Sequence, residues 1–372
     1  MVRMLTEESA VGAPQPAAGA RGRALLAALA MMPLSGCGTT YVLQAAGGQL
    51  QVMHEREPTD KVIADPNTPA SLRRHLEQIQ AVRDFASREL GLPDNKSYRS
   101  YADIGRPFVV WNVVATPEFS VTPEHWCFPV AGCVAYRGYF HEEAAQKFAY
   151  EMREKGFDVA VGGVPAYSTL GKFADPVLSS MVRYGDDDLA AMVFHELAHQ
   201  LLYAKDDSAF NEAFATTVED AGLERWIAQQ GGGIRIREYR DQQAREAATV
   251  KLLAAARTRL AHLYASALPP QVMRERKQQI LAELAAQIRA AEHREGVTYP
   301  LYDEWIAAGL NNAQLASIAT YYDCVPGFKR LLAQADGDLP RFYAAAGEAA
   351  KLPRAERHAQ LCSTPGSHGG AE

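Results

Sequence analysis

The sequence has little cysteine, 5 residues in 372. That is too few to hold so long a chain by disulfides, so a hydrophobic core must do it. It has no basic excess either. Lys and Arg number 38 against 44 Asp and Glu, a formal net charge of -6, which argues against a broad basic surface for nucleic acid. Long apolar runs are absent too. The one near the start, residues 24–32, falls well short of the roughly 20 residues that a membrane-spanning helix needs. What is present is the composition of a globular protein, 48% hydrophobic and 22% charged, enough for one large domain or two modest ones.

Residues 1–20 are small, polar and proline-containing. Arg21 and Arg23 then precede the apolar stretch 24–32, and Leu34-Ser35-Gly36-Cys37 follows. A positive segment, a short apolar segment and small residues before a cysteine read as a secretory signal with a bacterial lipobox. Cys37 would become the lipid-bearing first residue. Gly38 rather than Asp follows it, which suits outer-membrane sorting and a lipid anchor on the periplasmic face of a Gram-negative envelope. The expected organisation is an extension and signal over 1–36, an α+β part over 37–180, a helical zinc-binding part over 181–352 and a tail over 353–372. His368 in that tail is not expected to bind anything.

The strongest signal is Phe194-His195-Glu196-Leu197-Ala198-His199-Gln200. It lies in an apolar run without Pro or Gly, opened by Asp186, Asp187 and Asp188. That predicts a buried helix whose acidic first turn suits the helix dipole. Four residues separate His195 from His199, so both imidazoles leave one helical face and can share a Zn2+. Glu196 flanks that face as the candidate general base. A catalytic zinc takes three protein ligands and keeps one open position. Asp206-Asp207-Ser208 breaks the helix and a second begins, capped by Ser208 or Asn211. Glu212 on that second helix is the expected third ligand. Glu219 competes for the role, because it lies seven residues on, two turns along the same face. Asn211 and Asp220 are candidates to orient a ligand histidine from behind.

With Asn211-Glu212-Ala213-Phe214-Ala215-Thr216 downstream, this pattern resembles the glutamate zincins, metallopeptidases with two histidines and a later glutamate on zinc. Residues 126–140, residues 163–171, and Leu310-Asn311-Asn312-Ala313 before Tyr321-Tyr322-Asp323 resemble the bacterial putative aminopeptidase family of zinc-dependent lipoproteins. The resemblance spans about residues 37 to 332. It implies an α+β, predominantly helical, zincin-like fold, with a small β subdomain ahead of the zinc helix. It also implies peptides as substrates and zinc as cofactor.

Around this centre the periodicities predict a helix from Ala45 to about Glu57 and another over 71–90. They predict strands over 108–115, 133–140 and 157–161, with a helix over 142–155 between the last two. Residues 237–266 and 271–295 read as a helical hairpin broken at Leu268-Pro269-Pro270, either a docking arm for a periplasmic partner or, the favoured reading, packed on its own domain or solvated. In zincins an edge strand pairs with extended substrate. Residues 163–169 and 108–115 both qualify. Arg137 is either a substrate-carboxylate clamp or a structural group, the latter favoured. Tyr321 and Tyr322 are candidates to hydrogen-bond the oxyanion. Pro129 and Gly132 favour a turn that joins Cys127 to Cys133 in a disulfide, and Cys324 with Cys362 can form a second. The expected function is zinc-dependent peptide hydrolysis, as an aminopeptidase. The alternatives are an endopeptidase and an anchored envelope protein with a structural zinc.

Overall fold

A computed structural model describes residues 37–128, 132–296 and 300–362. The signal and lipobox residues before Cys37, the middle of the 127–133 turn, and His368 lie outside the described residues.

The chain opens with α1 (Cys37–His54), β1 (Arg56–Pro58), α2 (Thr59–Ala64) and α3 (Ala70–Arg88). The first helix starts eight residues before the predicted Ala45 and stops before Glu57. β2 (Ser100–Ala102), β3 (Val110–Pro117), β4 (Trp126–Phe128), β5 (Gly132–Val134) and β6 (Arg137–Tyr139) follow, then α4 (Glu142–Glu154), β7 (Phe157–Val164) and β8 (Val177–Leu178). The remainder is helical: α5 (Asp186–Leu201), α6 (Ser208–Gln229), α7 (Gly233–Tyr264), α8 (Pro270–Glu295), α9 (Pro300–Ala308), α10 (Asn312–Tyr322), α11 (Val325–Gln334), α12 (Leu339–Lys351) and α13 (Arg354–Leu361). The chain after Pro353, expected as a tail, thus continues as a helix.

The described residues are predominantly helical, with small sheets. β3 lies at the centre of the order β6-β3-β7, antiparallel to both neighbours. Its run of alternating and β-branched residues, Val110 to Ala115, fills that central place. β1, β2 and β8 form a second sheet, and β4 pairs with β5. Cys127 and Cys133 sit opposite each other in that last pair and are disulfide-bonded, as are Cys324 and Cys362.

The main core runs through α3, α5, α6, α11 and α12, where Leu76, Phe85, Phe194, Phe214, Phe328 and Phe342 pack together. α5 is buried almost all round, which is why its sequence is apolar on every face. The α7–α8 hairpin packs on the protein itself, as expected. Leu253, Leu260, Leu284 and Ile288 meet Leu315 and Ile318 of α10. A polar knot joins it to the sheet. Lys277 Nζ donates to Asp158 Oδ2 at 2.6 Å and to the Glu118 carbonyl at 3.0 Å, and the Asn312 N–H donates to the same Asp158 oxygen at 2.9 Å. Asn311 caps α10 in a capping box with Gln314. The Asn311-Asn312 pair therefore fixes the helix that carries Tyr321.

Candidate metal centre

Two features bring α6 back alongside α5. Asp206 turns the chain in the left-handed region, at φ +65°. The Asn211 side chain then accepts from the Ala204 N–H at 2.7 Å and donates to the Ala204 carbonyl at 2.8 Å. Asp207, not Ser208 or Asn211, is the N-cap, accepting from the Phe210 N–H at 3.2 Å. Asn211 thus latches the return of the chain and does not orient a histidine. Asp220 does not either. It takes the Tyr239 hydroxyl at 2.7 Å and Lys329 Nζ at 2.8 Å.

The latch delivers Glu212 to the two histidines. His195 Nε2 lies 3.2 Å from His199 Nε2 and 3.3 Å from Glu212 Oε2, and the third edge, His199 Nε2 to Glu212 Oε2, is 3.7 Å. An ion held tetrahedrally at about 2.0–2.1 Å keeps its ligand atoms about 3.3 Å apart. The triangle fits that face closely. All three residues are buried, and they form one of two groups among the described residues whose His, Cys or carboxylate atoms lie close enough to hold a metal. Glu219 stands behind them. Its Oε2 is 2.9 Å from His195 Nδ1. In the neutral ring, a proton on Nδ1 would donate to that carboxylate and leave the Nε2 lone pair facing the triangle. Glu219, the competitor for third ligand, thus lies against the far nitrogen of His195, outside the triangle. His199 Nδ1 is buried with no hydrogen-bond partner among the described residues.

The electrostatics match a cation site. Burial pushes the His195 imidazole down, but Glu212 and Glu219 outweigh it and raise it to about 10. Burial likewise opposes ionisation of Glu212, but the two histidines hold it at about 2. Without an ion, a proton on the imidazole supplies the positive charge that the carboxylates demand. Glu196 is buried, and burial raises its carboxyl, against the pull of His195 and His199 and with help from Glu212 and Asp175.

These residues form one wall of a cavity of about 450 Å³. Gly163 and the residues after it line another wall. The Phe108 ring crowds Gly163 so closely that a Cβ would sit 2.1 Å from it. Of the two edge-strand candidates, residues 110–115 of the second fall in β3, the central strand with β6 and β7 on either side, whereas β7 ends at Val164 on the sheet edge. Tyr321 lies beside Glu212 and Glu196, with its hydroxyl pushed well up by burial and by those carboxylates. Tyr322 lines the cavity, but its hydroxyl donates to Glu246 at 2.5 Å. Tyr136 shares the Glu212 and Glu196 environment and was not singled out from sequence, since nothing in its spacing marks it. Arg137 takes the structural role, its guanidinium stacked 4.4 Å over Tyr41 and 4.6 Å over Phe148.

A family comparison matches residues 40–361 to the family described as Putative aminopeptidase. The chain belongs to this family. Membership supports a peptidase acting on peptides, and the aminopeptidase match spans the whole His195, His199, Glu212 and Glu196 constellation. No curated protein and no solved structure matches.

Proposed function

We propose that this protein is a zinc-dependent peptidase of zincin-like architecture, with His195, His199 and Glu212 as metal ligands and Glu196 as general base. The observation that carries the reading is the triangle of ligand atoms, 3.2–3.7 Å on an edge, set in a cavity wall with a buried, raised carboxyl beside it. Zinc bound there would act as a Lewis acid toward the scissile carbonyl and would acidify water. Glu196 takes the proton of the attacking water and passes it to the leaving amine, a role that its raised carboxyl suits. Glu219 holds His195 in the ligating tautomer. Tyr321, with Tyr136 close by, offers a hydroxyl to the oxyanion.

The signal pattern supports a further part of the reading. Cys37 would carry lipid and hold the protein on the periplasmic face of the outer membrane. No helix among the described residues is long and apolar enough to cross a membrane.

The family description favours removal of N-terminal residues. One observation favours a second reading, cleavage of internal bonds. Among the described residues lining the cavity, the only carboxylates are Glu196 and Glu212. Both already have roles, which leaves no third acid for a substrate α-amine. The test is a peptide-library digest with and without chelator, followed by matched free and N-blocked substrates. Chelator-sensitive, zinc-restored cleavage supports the proposal, and the blocked series separates the two readings. Cleavage untouched by chelator defeats it.

A further inference from the structure

α1 carries no Asp, Glu, Lys or Arg over its 18 residues, and His54 closes it. Its inner side packs on the sheet and borders the cavity. The Gln44 amide spans the edge of β6, Nε2 donating to the Gly138 carbonyl at 3.3 Å and Oε1 accepting from the Phe140 N–H at 3.3 Å. Gly48 admits the Phe140 ring, which would lie 2.1 Å from any Cβ there. Tyr41, Ala45 and Gln49, each one turn apart, line the cavity that holds His195, Glu196 and His199.

The outer side is different. Val42 is 46% exposed, Leu43 71% and Leu50 68%, with Ala46 and Gly47 exposed between them. These are three of the six large hydrophobic residues exposed among the described residues, so half of those residues sit on one helix. A scattered exposed leucine is ordinary, whereas an uncharged face with several of them marks something that covers it. The sequence before α1 indicates what. Arg21, Arg23, the apolar run 24–32 and Leu34-Ser35-Gly36 lead directly to Cys37, the first residue of α1. A segment addressed to a membrane ends where this face begins.

We propose that the outward face of α1 rests in the surface of a lipid bilayer, with Val42, Leu43 and Leu50 in the acyl boundary and the cavity beside it. The proposal rests on the reading of Cys37 as the lipid-bearing residue. Interfacial helices usually add basic residues that attract anionic lipid. α1 has none, so its docking is apolar alone. Because the same helix walls the cavity, peptides held at the membrane reach the site more readily than peptides free in solution.

The experiment uses the full-length chain processed in bacterial cells. Mass spectrometry of its N-terminal peptide reads lipidation at Cys37 independently of everything else. Leu43→Cys and Leu50→Cys variants carry a nitroxide and are reconstituted in phosphatidylcholine vesicles, with Ile234→Cys, 65% exposed at the start of α7, as the reference. The expected result is oxygen access and exclusion of a water-soluble nickel chelate at 43 and 50, the reverse at 234, and no change with salt or with added phosphatidylglycerol. In a Cys37→Ser background, replacing both leucines with Glu lowers vesicle binding roughly tenfold or more and leaves kcat on a short soluble peptide unchanged. Chelate access at 43 and 50 in a lipidated protein overturns the docking and leaves the anchor standing. Dipolar broadening between labels in vesicle-free solution means a second copy covers the face, and also overturns it. Vesicle binding through the leucines in a chain that is not lipidated keeps the docking and removes the anchor.

Discussion

Among the described residues, two groups of side chains lie close enough together to hold a metal ion, and they have opposite surroundings. His195, His199 and Glu212 face a cavity, with a carboxylate behind one imidazole. The ligand atoms of Cys324, His358 and Cys362 also lie within 4.8 Å of one another, but the sulfurs are joined in a disulfide, so no thiolate is offered. His358 Nε2 is instead 2.7 Å from Asp207 Oδ1, and Arg357 Nε donates to Asp207 Oδ2 at 2.6 Å. Asp207 also caps α6. The second group is a knot that fastens α13 to the helix bearing Glu212. Ligand chemistry alone does not make a centre. An open wall and unspent donor atoms separate the two.

If that contrast is right, damage at the open site costs turnover and damage at the knot costs stability. Glu196→Gln should show the largest effect, up to about 10⁴-fold in kcat, near 5 kcal/mol of barrier. Metal content and thermal midpoint should stay at wild-type values, read by elemental analysis and calorimetry. Turnover within tenfold of wild type would remove Glu196 from the chemistry. The double variant Cys324→Ala/Cys362→Ala should show the mirror image. Opening a 38-residue loop costs about 4 kcal/mol in the loop-entropy account, read as a lower denaturant midpoint. Metal content and kcat of the folded fraction should not change. Metal loss in this variant would merge the two groups into one functional unit.

A finer effect tests the support behind the open site. Glu219→Gln keeps the shape but removes the charge that faces His195 Nδ1 at 2.9 Å. Metal affinity or activity should fall about 10- to 100-fold, seen by competition with a chromophoric chelator. Asp220→Asn should leave both alone, because Asp220 meets Tyr239 and Lys329 instead. Equal losses in the two variants would mean that general acidity around α6, not the contact with His195, sets the affinity.

That His195, Glu196 and His199 share one buried helix was legible in the sequence, because spacing along a helix is a local property. Glu212 against Glu219 was not decidable that way. The two acids share a face, and the choice depends on the angle at which α6 meets α5, set by Asp206 and by the Asn211 latch on Ala204. The start of α1 was missed for a related reason. Thr39 to Val42 is β-branched or aromatic and reads poorly as helix, yet the grip of Gln44 on β6 favours a helical chain there. The sheet of β1, β2 and β8 joins segments such as Glu57 with Tyr101 and Tyr101 with Val177. Each is too short to show a period, so only tertiary contact reveals them.

The smallest effect lies in the acid response of the knot. Burial of Asp207 opposes its ionisation, but the hydrogen bonds and charges of His358 and Arg357 outweigh it and hold the carboxyl below its ordinary value. Arg354 Nε stands 3.9 Å away and adds to the same field. A carboxyl depressed in the folded state gives stability that is fully present above its unfolded value, about 3.9, and is lost as pH falls through the folded value. One proton limits the slope to about 1.4 kcal/mol per pH unit. The gap in stability between wild type and Asp207→Asn, which keeps a capping side chain, should therefore narrow as pH falls below about 4. Denaturant midpoints across that range measure it. A gap that stays constant below about 4 would detach the Asp207 carboxylate from the fastening of α13.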